Sequence, residues 1–201
     1  HDAGYILETD DRTGTGAKYT TTHVDRSAAF ALRHAQALGL EPSRARRIAR
    51  LILGTDMGRK WAELEFSSTQ ENELAAILAA ADLLGQMGDR TYLEKLLFLY
   101  YEFREAGFGG YDSAYAILEK TLGFYDIVKA RLDSTLASTA GLSQRHFAKR
   151  HGVDRDLYRE AVDRQMDYLA GVVADDSSNF RTKLKRLDLE AIERARAGHP
   201  A

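Results

Sequence analysis

Four side chains stand out for the chemistry they can do: His1, Asp2, His23 and Asp82. His1-Asp2 sets one imidazole beside one carboxylate. Such a pair can ligate a divalent cation through nitrogen and oxygen, or lend a base to a metal-bound water. Asp82 lies in the stretch Glu71–Gly88, which reads as a helix with a core-facing stripe of Leu74, Ile77, Leu78, Ala81 and Leu84. It follows Leu78 by four residues and so falls on or beside that stripe. A lone carboxylate there is costly to bury unless it is paired, hydrogen-bonded or bound to a metal. The alternative is an Asp on the edge of the stripe that meets an Arg or water. His23 opens a helix, where it can serve a second cation or a substrate phosphate, or simply cap the helix and face solvent.

The order of these residues is more telling than any one of them. His1-Asp2-Ala3-Gly4-Tyr5 is followed by a polar, Gly-containing loop, then by Thr22–Ala28 at the start of an Ala-rich helix. Leu51–Asp56 comes next, and then Ala81-Asp82. Over about residues 1–105 this order resembles the HD superfamily of metal-dependent phosphohydrolases. The family signature is a His, a His-Asp pair and a distant Asp, all on helices around a metal. The resemblance matches His1-Asp2 to the pair, Asp82 to the distant Asp, and His23 to the additional His of some members. It implies a metal held by His1, Asp2 and Asp82, with Asp2 and His23 as catalytic groups. Lys60 and Arg26 are the candidate contacts to substrate phosphate. The implied cofactor is a divalent metal ion, with Mn, Mg, Fe, Zn and Ni all open because a mixed N/O site without sulfur does not choose between them. The implied substrate is a phosphorylated small molecule or nucleotide. The family's first His precedes the pair, so an N-terminal segment upstream of His1 is expected. The competing class is a non-catalytic helical sensor or interaction module whose metal site is vestigial.

Composition narrows the classes. The chain has 201 residues, with 28 Lys plus Arg against 30 Asp plus Glu, for a formal charge of −2. Nothing in that balance calls for nucleic acid or an anionic membrane. The absence of cysteine rules out disulfides, thiol catalysis and thiolate metal sites, and is compatible with the cytoplasmic location expected here. No apolar run approaches the length of a membrane span.

The elements that must position these residues are helices. Proline occurs only at 42 and 200, and strand-like alternation is rare, so the fold class is all-α. The resemblance specifies it as an HD-type helical bundle over 1–106 with a helical extension over 107–201 packed on it. Residues 6–21 have no helical period and read as an irregular, mobile loop, either a lid or plain surface. Helices are expected over about 23–38, 42–54, 71–88, 89–106, 112–132, 143–152, 154–170 and 178–197. Gly107, Gly109 and Gly110 mark the organisational boundary. The aromatic run Phe98–Phe103 reads as packing. Gln144–His151 is basic and superficially suggests a helix-turn-helix. The acids of residues 154–170 repel phosphates and argue against nucleic-acid binding. The last helix is expected to pack on the body or against a second subunit, which leaves room for a homodimer.

Overall fold

The computed structural model describes residues 1–175 and 179–197, and among them every regular element is helical. The protein is therefore all-α. The helices are α1 (His23–Arg33), α2 (Pro42–Leu53), α3 (Thr69–Gly88), α4 (Tyr92–Glu105) and α5 (Ala114–Asp133). They continue with α6 (Leu142–His151), α7 (Leu157–Val173), the short α8 (Phe180–Lys183) and α9 (Leu189–Ala197). Single 3-10 turns form at Ala3–Tyr5, Gly16–Tyr19, Trp61–Leu64 and Ala137–Thr139.

The helix starts are set by side-chain caps. Ser68, Ser113 and Asp156 accept from the backbone N–H of Glu71, Ala116 and Arg159, respectively. Pro42 opens α2, where its missing N–H costs nothing. The final helix expected over 178–197 is instead two pieces; its proposed start, Ser178, lies outside the described residues. Between the pieces Leu184 turns extended, and Leu184 and Leu189 both drop into the core.

The large core joins α3, α4, α5 and α7 with Leu184 and Leu189. A smaller one lies between α1 and α2. Ile117, Leu118, Val128 and Leu132 of α5 share the large core with Leu93, Leu96 and Leu97 of α4. The core therefore continues across the glycine-rich turn at Gly107–Gly110.

The buried face of α3 differs from the expected stripe. Ala75, Ala76, Ala79, Ala80, Leu83 and Met87 are buried, whereas Leu74, Ile77 and Ala81 are exposed. The helix is apolar on most of its faces, so spacing alone does not choose among them. The alanine face wins because it lets α2 and α7 approach closely. Asp82 ends up beside Leu83, at the edge of the buried face. On α1 the helix stops at Arg33 and turns follow to Gly39, so Leu32 and Leu38 stay exposed.

Candidate metal and ligand site

The first turn of the chain is clamped onto α1 through its backbone. The Gly4 N–H donates to Ser27 Oγ at 2.8 Å, and the Ser27 hydroxyl donates to the His23 carbonyl at 2.7 Å. Arg26 Nε donates to the Gly4 carbonyl at 2.7 Å and Nη2 to the Ile6 carbonyl at 2.9 Å. The same guanidinium lies 3.6 Å from the centre of the Tyr19 ring. Gly4 is obligatory at this crossing. A Cβ on it would sit 2.0 Å from the His23 carbonyl oxygen. The loop that follows is pinned as well. Asp11 accepts from Lys18 and from the Tyr19 hydroxyl, which hold its carboxyl well below the usual carboxylate range. Thr15 bonds Glu105 of α4. Residues expected as an irregular, mobile loop are thus tied to one another and to α4.

This clamp delivers His1 and Asp2 to Asp82 on α3. His1 Nε2 lies 3.1 Å from Asp82 Oδ1 and 3.2 Å from Asp2 Oδ2. Carboxylates only accept, so the Nε2–H is shared between the two acids. His23 faces the same point from α1. Its Nδ1 lies 2.7 Å from the Thr20 carbonyl, which fixes Nδ1 as the donor. In the neutral ring Nε2 is then left with a lone pair, 3.9 Å from Asp2 Oδ1. Tyr5 stacks on the His23 ring at 4.5 Å and 18°. Burial pushes the Asp82 carboxyl up, and the neighbouring Asp2 charge adds to the effect, while His23 opposes it. Burial likewise raises the Tyr5 hydroxyl.

Asp2, His23 and Asp82 line one end of a cavity of about 630 Å³. Thr20, Thr55 and Asp56 extend the polar end. The remainder is walled by Tyr92, Leu96, Leu99, Phe103, Phe124 and other apolar groups. The aromatic run of α4 therefore contributes Leu99 and Phe103 to a cavity wall, beyond the packing role expected of it. Tyr111, Lys120 and Phe124 belong to the wall too. The density of aromatic residues around the Gly107–Gly110 turn was a signal for Tyr111; nothing in the sequence singled out Lys120 or Phe124.

The donor set, two imidazoles and two carboxylates, is of the type that binds divalent cations. Neighbouring ligand atoms of one small octahedral cation lie roughly 3 Å apart, and His1 Nε2 stands at that distance from both acids. As they stand, the side chains bond to one another. Among the described residues no group of three or more His, Asp or Glu side chains forms a ready-made cage.

A family model described as Npun_R2479-like matches residues 7–136. The chain belongs to the Npun_R2479-like family. No curated protein and no solved structure matches it. In this Npun_R2479-like chain the matched stretch carries His23, Asp82 and the cavity walls from α1 to α5, and His1-Asp2 precedes it.

Two expected substrate contacts fall elsewhere. Arg26 is spent on the backbone clamp and faces Glu8 at 3.5 Å, outside the cavity, because its guanidinium is drawn to the carbonyls of the first turn. Lys60 projects into solvent, 3.2 Å from Glu63, and does not reach the cavity. Asp56 lines the polar end, where Oδ1 accepts from the Gly58 N–H and closes the turn after α2.

Proposed function

We propose that this chain is a metal-dependent phosphohydrolase of the HD type, working in the cytoplasm on a phosphorylated small molecule. The observation that carries this reading is the convergence of His1, Asp2, Asp82 and His23, of which Asp2, His23 and Asp82 line a cavity large enough for a substrate. A bound divalent cation supplies a water of lowered pKa and neutralises charge on phosphoryl oxygens. His1 offers it a nitrogen, and Asp2 and Asp82 offer it oxygens. A free oxygen of Asp2 would orient the attacking water and take its proton. His23, with Nδ1 committed to the Thr20 carbonyl, presents Nε2 to a second cation or to a substrate oxygen. The apolar wall keeps bulk water from the other end of the substrate.

Titration of the full chain with Mn(II) tests the reading. Asp82→Asn is expected to abolish tight binding and to leave the helical circular dichroism unchanged. His23→Gln is expected to lower turnover of a phosphomonoester panel more than it lowers Mn(II) affinity. If Asp82→Asn binds Mn(II) as the parent does, the assignment of Asp82 fails. A second reading, a non-catalytic sensor module, is favoured by the direct pairing of His1 with both acids. A parent chain that holds no divalent metal and is silent on every phosphoester would support it.

A further inference from the structure

The acid–imidazole cluster occupies one end of the cavity, and the other end has a different chemistry. Its wall there is mostly ring and alkyl carbon from Leu96, Leu99, Phe103, Tyr111, Ile117 and Phe124, with Thr121 and Lys120 of α5 beside them. Phe103 packs 4.9 Å from Phe108 and 5.2 Å from Tyr111, centre to centre. Phe108 and Tyr111 are held within 27° of parallel by the turn between α4 and α5. Gly107 and Gly110 permit that turn with φ of +67° and +95°. Phe108 lines the cavity with 46% of its surface still open.

The charges of the wall narrow the choice further. Among the described residues of the wall, Asp2, Asp56, Asp82 and Glu102 bring four carboxylates, against one ammonium, Lys120. That ammonium stays at the exposed edge, 4.7 Å from the centre of the Tyr111 ring, and donates to the Gly110 carbonyl. One divalent cation offsets Asp2 and Asp82 and leaves the rest of the wall negative. A chain of phosphates would meet like charge with a single lysine to answer it.

We propose that the cavity takes a compact ligand with one anionic head and an aromatic or branched apolar body. The head sits at the His1–Asp82 end and the body lies against Phe103, Phe108 and Tyr111. The substrates are then apolar phosphomonoesters and not nucleoside di- or triphosphates. The placement of the head rests on the phosphohydrolase reading; the placement of the body rests on the aromatic wall alone.

Calorimetric titration of the full chain with Mn(II) present tests this, using naphthyl phosphate, naphthol, inorganic phosphate and ATP as probes. Naphthyl phosphate is expected to bind about tenfold or more tighter than inorganic phosphate or ATP, the scale set by burying an aromatic body. Phe108→Ala is expected to cost about tenfold on naphthyl phosphate and on naphthol, with Mn(II) affinity unchanged. Inorganic phosphate or ATP binding as tightly as naphthyl phosphate overturns the proposal. So does a Phe108→Ala variant that keeps full affinity, or a chain that binds neither naphthyl probe. The two readings fail separately. Naphthol binding that depends on Phe108, without turnover of naphthyl phosphate, sinks the phosphohydrolase and keeps the apolar site. Hydrolysis of ATP with no preference for an apolar body does the reverse.

Discussion

Replacing Gly4 with Ala is expected to disable the site without touching any candidate ligand. The added Cβ would stand 2.0 Å from the His23 carbonyl oxygen and 2.9 Å from Arg26 Cβ, where real Cβ contacts stay beyond 3.0 Å. The obstacle is helix backbone, so α1 does not yield, and the first turn must retreat by roughly 1 Å. Loss of the groups that hold metal ligands in place costs about 10–100-fold in metal affinity. Mn(II) affinity is therefore expected to fall by about that factor, since His1 and Asp2 withdraw from Asp82 together. Global stability should suffer less. The turn contributes the Gly4–Ser27, Arg26–Gly4 and Arg26–Ile6 hydrogen bonds, together at most about 3 kcal/mol. That bounds the drop in Tm at about 10 °C. Gly85→Ala is the control. It lies on α3 near Asp82, and nothing stands within 4 Å of its added Cβ. Mn(II) titration and thermal melting of both variants decide the matter. A Gly4→Ala chain with parental Mn(II) affinity would refute the claim that this crossing positions His1 and Asp2.

Three further outcomes can be checked by unfolding experiments. Gly85→Ala should raise stability by about 0.5–1 kcal/mol, because a helix interior favours Ala over Gly; a loss in urea titration would show a contact not evident at that position. Glu71 is fully buried and accepts from Arg50 Nε at 2.6 Å and the Ser67 N–H at 3.0 Å. Arg50 holds its carboxyl at about 2, against 4.5 ordinarily. The folded state has the lower pKa, so this stabilisation is complete above pH 4.5 and is lost as pH falls toward 2. Arg50→Met should cost about 3 kcal/mol at pH 7 by stranding the carboxylate, and parental stability in urea would contradict the pairing. Arg131 donates to the Gly54 carbonyl at 2.9 Å and approaches those of Asp56 and Met57 beyond the end of α2. Arg131→Met should cost about 2 kcal/mol, read as an earlier urea midpoint.

The helical class was legible because proline and strand-like alternation are scarce and the caps lie within three residues of the expected starts. Burial on α3 was not. A helix rich in Ala and Leu all round has no single apolar face, and the choice between Leu74–Ile77 and Ala75–Ala79 is made by how closely α2 and α7 can approach. The same limit applies to α1, where Leu32 satisfies the period yet stays exposed. Tertiary contact decides both cases, and periodicity cannot rank two faces that satisfy it equally. The split of the final helix also lay beyond local pattern. Leu184 and Leu189 reach the core only if the chain leaves the helix between them.

The cluster was legible in sequence and the substrate contacts were not. Histidine beside aspartate, and aspartate within an apolar helix, single out candidate ligands, and His1, Asp2, Asp82 and His23 do meet. The cations chosen for substrate do not reach the cavity, for a reason that sequence conceals. Arg26 is one turn from His23 and looks free to face a phosphate, but three carbonyl and ring partners from residues 4, 6 and 19 claim its guanidinium first. Those partners become visible only once Gly4 lets the first turn cross α1 at contact distance. Arg26 therefore acts on the chemistry at one remove. It holds the backbone that carries His1 and Asp2, while Lys120, from a helix nearly a hundred residues further on, is the one lysine among the described residues of the cavity wall. A substitution at Arg26 is accordingly expected to resemble Gly4→Ala, weakening Mn(II) binding through the first turn, and not to resemble the loss of a phosphate contact.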